Sequence, residues 1–202
     1  GEDAIAPPAL IGDRIELLNC RDFAWFWVLE RNKELFGWTV MQPTSVQPYK
    51  YKSWAEATDN GKMKTTFDPK GQYIYIVAGG ISRRINKIAG KLMNLHLMIF
   101  LKKTGRKTIF ACLAMPGYAE YHKETGKSPE EYLAITDDNG IPTDPFITLM
   151  ASNFSVKPSF RFLKNGYPLD KDSHGHGLSM VCEFTDQEKK IEDEYNTIIR
   201  YA

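Results

Sequence analysis

Between Tyr73 and Leu95 the apolar pattern changes its period, and that change limits the fold more than any other feature of the chain. Tyr73, Tyr75 and Val77 alternate with Ile74 and Ile76, the two-residue repeat of a strand. The run then passes through Gly79-Gly80, and Ile81, Ile85, Ile88, Leu92 and Leu95 recur at spacings of four, three, four and three. That is the repeat of a helix with one apolar stripe, and Ser82 stands where an N-cap belongs. Strand and helix therefore lie in one covalent block, which excludes an all-α or an all-β chain.

The same block carries the charge. From Pro69 to Ala119 there are nine basic residues and no acidic one, whereas the preceding residues sum to −2 and the following ones to −6. Arg83 and Lys87 project opposite the apolar stripe, with Arg84 and Lys91 along its flank, so the predicted helix is basic and amphipathic. Leu95–Leu101 and Thr108–Met115 read as two strands of a hairpin whose tip holds Lys102, Lys103, Arg106 and Lys107.

Elsewhere, Arg14–Leu18 reads as a short strand, and Phe23–Leu29 with Leu35–Met41 as a hairpin in which Trp25 and Trp27 face the core. Ser53 caps a helical turn. Lys62–Phe67 pairs with Gln72–Ala78 across a Pro/Gly turn. Residues 120–135 form two helical pieces broken at Gly126, the second opened by the capping box Ser128-Pro129-Glu130-Glu131. Residues 137–145 form a loop. Ile147–Phe154, Ser159–Lys164 and Leu178–Phe184 complete the strands, and a C-terminal helix starts at Thr185. The fold class expected is α+β, a single domain with a mainly antiparallel sheet of β-hairpins, a central basic amphipathic helix and a C-terminal helix. Residues 1–10, with Pro7-Pro8, are expected as an extended arm and 11–202 as the globular domain.

The longest apolar run, Phe23–Leu29, is far shorter than the roughly 20 residues that cross a bilayer. Three scattered cysteines, Cys20, Cys112 and Cys182, suit a soluble protein in a reducing intracellular compartment, the cytoplasm or the nucleus.

The functional reading follows the charge. A polyanion, single-stranded or RNA, would meet Arg83, Arg84, Lys87, Lys91, Lys102, Lys103, Arg106 and Lys107 through its phosphates. Tyr73 and Tyr75, or Phe160 and Phe162 around Arg161, alternate as base-stacking residues do. The bland explanation is that these aromatics are core and that the basic block pairs with acidic surface, in this chain or in another copy. Gly79-Gly80 before Ser82-Arg83-Arg84 also offers an anion cradle, without the spacing of a phosphate loop. Asp170–Gly177, with His174 and His176, is the one ligand-type cluster, set among glycines in a loop expected to be mobile. No nucleophile motif is present, so neither catalytic residues, a metal nor a cofactor is assigned.

Three short words, Ala6-Pro7-Pro8, Glu120-Tyr121-His122 and Gly126-Lys127-Ser128-Pro129, resemble rhabdovirus matrix proteins. The rest of the chain departs from that pattern. The expectation is thus a non-enzymatic nucleic-acid-binding protein. The alternatives are a self-associating structural or adaptor protein of the matrix type, possible as a homo-oligomer, and a metal-dependent hydrolase working through the Asp170–His176 loop.

Overall fold

The computed structural model describes residues 25–31, 33–81, 95, 97–152, 154, 156–184 and 193. Six strands form one sheet in the order β1-β2-β3-β4-β6-β5. They are β1 (Phe26–Arg31), β2 (Glu34–Thr44), β3 (Tyr73–Ile81), β4 (Thr108–Leu113), β5 (Ser159–Leu163) and β6 (Gly177–Glu183). Helix α1 (Trp54–Thr58) lies between β2 and β3, and α2 (residues 97–104) precedes β4. Helices α3 (Tyr118–Thr125), α4 (Pro129–Leu133) and α5 (Pro145–Ser152) separate β4 from β5. No helix among the described residues is long and apolar enough to cross a membrane.

The class is α+β, as the alternation of patterns requires, but the sheet is mixed. β1/β2, β2/β3, β4/β6 and β5/β6 are antiparallel, whereas β3 and β4 are parallel neighbours. Parallel neighbours need a crossover, and α2 belongs to it. The expected hairpin at 95–115 is therefore corrected: residues 97–104 are helical, and only Thr108–Leu113 is a strand. A continuous apolar run cannot by itself distinguish buried strand from buried helix. Here Leu97, Met98 and Leu101 are buried at helical spacing, and Phe100 meets Trp25 edge-on at 4.5 Å between ring centroids. Trp25 is core, as expected, and Trp27 packs edge-on against the same Phe100.

Two further expectations change. Lys62–Phe67 forms turns rather than a strand, with Met63 fully buried at a positive φ of 61°. Ile147–Phe154 is mostly helix α5, its buried Ile147 and Ala151 four residues apart. The local signals at the other helix ends are as read. Ser53 caps α1 by accepting from the Glu56 amide, and Gly126 ends α3 at φ 69°, in the left-handed region glycine tolerates. Both halves of the Ser128/Glu131 capping box form. The N-terminal arm, the 14–18 strand, most of the central basic helix and all of the C-terminal helix except Asp193 lie outside the described residues.

The core is continuous across the sheet, from Val40 and Met41 through Ile74, Tyr75, Ile109 and Phe110 to Met180 and Cys182. Each large apolar side chain buried there contributes about 1.5–3 kcal/mol relative to exposure.

Candidate functional site

β3 and β4 pair over only three residues, Tyr73↔Thr108, Ile74↔Ile109 and Tyr75↔Phe110. These are the first residues of each strand, so beyond them six residues of β3 and three of β4 run on unpaired with one another. The sheet thus opens into a gap at the carboxyl ends of two parallel strands, where open sheets place their ligands.

A local irregularity of β3 lies beside the opening. Against β2 the register runs Val40↔Ala78 and then Met41↔Ile76, which leaves Val77 as an extra residue in β3. Such a bulge bends the strand and releases main-chain groups from the ladder. Side chains serve main-chain groups on both strands that border the opening. The buried Trp54 indole N–H donates to the Val77 carbonyl at 2.9 Å, and the Cys112 amide of β4 donates to the Tyr75 hydroxyl at 3.2 Å. The Tyr51 hydroxyl donates to the Ala111 carbonyl at 2.8 Å. Burial pushes the Tyr51 and Tyr75 phenols well above their ordinary range, so both hydroxyls stay protonated.

A polar row crosses the sheet beside the gap. Cys112, Ser179 and Arg161 are successive cross-strand partners on β4, β6 and β5. Arg161 donates to the Tyr51 carbonyl at 2.7 Å and sits over the Tyr51 ring, while its Nε is buried with no partner among the described residues. The Cys112 thiol reaches the Gly166 carbonyl at 3.4 Å, and burial pushes it up to about 12. It is a packing group and not a thiolate nucleophile.

The rim beyond β4 is tied to the loop before β6. The Met115 amide donates to Ser173 Oγ at 2.5 Å, and the Ala119 amide to the Asp172 carbonyl at 2.9 Å. Ser173 is fully buried and also contacts the Asp170 carboxylate. The loop expected to be mobile is thus pinned at its centre. Asp144, 1% exposed, holds the same rim: Oδ2 accepts from the Gly117 amide and the Tyr132 hydroxyl, and Oδ1 from the Phe146 and Ile147 amides that open α5.

Three histidines surround Tyr118, with ring centroids 5.2 Å away for His174, 5.6 Å for His122 and 6.3 Å for His176. His122 Nδ1 lies 2.8 Å from the Lys127 carbonyl, which can only accept, so Nδ1 carries the proton. His176 Nδ1 accepts from the Asn165 amide at 3.3 Å, so its proton is on Nε2. Burial lowers the His176 pKa, with the His174 charge acting in the same direction and Glu130 against it. A base whose folded pKa lies below its unfolded value, about 6.5, makes the unfolded chain bind more protons. Its stability contribution is complete above about pH 6.5 and is lost as the pH falls through the folded value. Denaturant unfolding across pH 5 to 8 should therefore show stability declining below about 6.5, with a shallower decline in His176→Gln. Equal slopes in the two proteins would refute the assignment. Among the described residues no group of three His, Cys, Asp or Glu is placed to hold a metal ion.

The residues singled out from sequence are scattered. Arg83, Arg84, Lys87 and Lys91 lie outside the described residues. Lys102 and Lys103 are exposed at the carboxyl end of α2, so the basic tip is a helix terminus, where cations complement the exposed carbonyls. Arg106 is occupied at the other end of the sheet, donating to the Gly71 and Pro69 carbonyls at 2.7 Å each and lying over the Trp25 ring. Lys107 is exposed just before β4. Tyr75 is fully buried and cannot stack on a base, and Tyr73 packs edge-on to Phe110. Phe160 and Phe162 are half-buried on β5, Phe162 beside His176. Cys112 and Cys182 are buried free thiols, and Cys20 lies outside the described residues. Sequence reasoning missed Trp54, the Val77 bulge and Asp144, of which only Asp144-Pro145 carried a local signal, an N-cap followed by proline.

No family model matches the chain. No curated protein matches it. Solved structures do. The GNAT-like decarboxylase GphF, in complex with isobutyryl-CoA, superposes with a TM-score of 0.70 at 17% identity, over 90% of this chain and 87% of that one. The loading GNATL domain of CurA from Lyngbya majuscula gives 0.70 at 16% identity, over 91% and 86%. Malonyl-CoA decarboxylase from Cupriavidus metallidurans gives 0.53 at 10% identity, over 96% of this chain and 62% of that one. At these identities the likeness establishes the fold, a GNAT-like sheet. The expectation of a nucleic-acid-binding or structural protein is overturned, because the fold neighbours include a decarboxylase in complex with isobutyryl-CoA and a malonyl-CoA decarboxylase. The basic hairpin on which it leaned is instead the end of a helix, and Tyr75, one of its two stacking tyrosines, is fully buried.

Proposed function

We propose that this chain is an enzyme that binds an acyl-CoA thioester in the gap between β3 and β4 and acts on the acyl group. The observation that carries the reading is the three-residue parallel pairing that gives way to a gap at the bulged Val77. The pantetheine arm of CoA is extended and bears amides, so it can lie against a free strand edge as an added strand does. Its phosphates need cations and main-chain amides. By sequence, β3 ends through Gly79-Gly80-Ile81 and is followed directly by Ser82-Arg83-Arg84, the segment read above as an anion cradle. GphF and CurA add support as nine-tenths matches in fold, the first of them in complex with isobutyryl-CoA.

Calorimetric titration tests the reading. CoA and isobutyryl-CoA should bind with Kd between about 1 µM and 1 mM, the range usual for enzyme substrates, and a single-stranded oligonucleotide should not bind. Mass spectrometry after incubation with malonyl-CoA then separates loss of CO2 from transfer of the acyl group to an added acceptor. An absence of CoA binding at millimolar ligand would reject the proposal.

A further inference from the structure

We infer that Trp54 is a positioning residue whose indole N–H holds the β3–β4 gap open by occupying the Val77 carbonyl, which would otherwise be free to extend the ladder with β4. For its binding consequence this rests on the acyl-CoA reading above. For its structural consequence it does not.

Beyond Tyr75↔Phe110 no residue of β3 pairs with β4, so Val77 has no ladder partner on that strand. Val77 is 2% exposed, and its carbonyl, like any buried polar group, must find a donor. Two classes of donor are at hand, the amides of the neighbouring strand and a side chain. The Trp54 side chain fills the role at 2.9 Å, so the strands have no remaining demand at that carbonyl to draw them together. On the opposite bank the Tyr75 hydroxyl takes the Cys112 amide in the same way.

Trp54 is placed for this by its own anchors. It is the first residue of α1, directly after the Ser53 cap. Its amide donates to the Gly166 carbonyl at 2.7 Å, and its carbonyl accepts from Thr58 Oγ1 at 2.7 Å. Its ring lies 5.5 Å from that of Tyr167, and Gln42 of β2 fixes the far end of α1 by donating to the Ala57 carbonyl at 2.7 Å. The indole is therefore held between β2, β3 and the 165–167 turn, and it enters the gap region as a fixed wedge.

The test is Trp54→Phe, which keeps an aromatic ring and removes the donor, with Trp54→His as a variant that retains a ring N–H. Amide hydrogen exchange is followed by mass spectrometry in the free proteins, and CoA and isobutyryl-CoA binding by calorimetry. In Trp54→Phe the amides of residues 111–114 should become better protected as β4 closes on β3. Affinity for both CoA compounds should fall about tenfold or more, with partial recovery in Trp54→His. A filler role predicts the opposite exchange result, lower protection at α1 and the sheet alike, and that result overturns the inference. Unchanged exchange with affinity within twofold overturns it as well.

If the wild-type protein binds neither CoA compound, the acyl-CoA reading fails while the exchange comparison still judges Trp54. If Trp54→Phe does not fold, the wild-type protein decides by NMR. A slowly exchanging Trp54 indole N–H, in the free and in the CoA-saturated protein, upholds the inference, and one that exchanges at the rate of an exposed indole overturns it.

Discussion

Asp144→Ala should lower the stability of the folded chain by about 3 kcal/mol or more, among the largest effects expected of a single substitution away from the apolar core. One carboxylate serves four donors from three places: the Gly117 amide after β4, the Tyr132 hydroxyl of α4, and the Phe146 and Ile147 amides of α5. Alanine removes an N-cap, costing about 0.5–2 kcal/mol. It also removes the charged acceptor of the half-buried Tyr132 hydroxyl and Gly117 amide, and a hydrogen bond to a charged group contributes about 1.5–3 kcal/mol. For a chain of this length the midpoint of thermal unfolding should fall by roughly 10 °C. Asp144→Asn keeps one oxygen for the α5 amides but cannot accept from both remaining donors, so it should fall between wild type and alanine. Scanning calorimetry of the three proteins is sufficient, and an alanine variant within 2 °C of wild type, by our order-of-magnitude scale, would remove Asp144 from its place as the anchor of the rim.

Arg83→Glu combined with Arg84→Glu should weaken CoA binding by about 100-fold while leaving the melting temperature nearly unchanged. A charge-assisted hydrogen bond contributes about 1.5–3 kcal/mol, and reversal replaces attraction to a phosphate by repulsion. Because the contacts are ionic, wild-type affinity should fall as salt rises, and the variant should show a flatter dependence. The measurement is a CoA titration of both proteins across a salt series. Equal affinities at low salt would separate these two arginines from the ligand and leave only the strand gap in support of binding. The same arginines led the sequence reading towards nucleic acid. In both readings the group assigned to them is a phosphate, and charge alone does not tell the phosphate of a polymer from that of a small molecule.

That ambiguity describes how far the sequence could be read. Local rules worked where the signal is local. The β1–β2 hairpin, the Ser53 and Ser128 caps, the glycine stop at Gly126 and the strands β3, β4, β5 and β6 each follow from a few neighbouring residues. The reading failed where burial on all sides erased the period. Leu97–Leu101 is apolar at almost every position, and its assignment as strand turned a parallel crossover into a hairpin and hid the parallel pair. Ile147–Phe154 was a strand by composition, although Asp144-Pro145 signals a helix start. The gap itself has no local signature. It lies beside one extra residue in β3 relative to β2, and register between strands distant in sequence is a property of the packed sheet. Trp54 could not be assigned a role for the same reason, since its partner lies 23 residues away.

Hydrogen exchange with and without saturating isobutyryl-CoA decides whether the ligand lies in the β3–β4 gap. The account predicts that added ligand slows exchange at residues 76–81 and 111–115, the two banks of the gap, and leaves the amino ends of β3 and β4 around residues 70–73 and 106–108 unchanged. Protection at those amino ends instead, or no change at either bank under conditions where calorimetry shows binding, would contradict it.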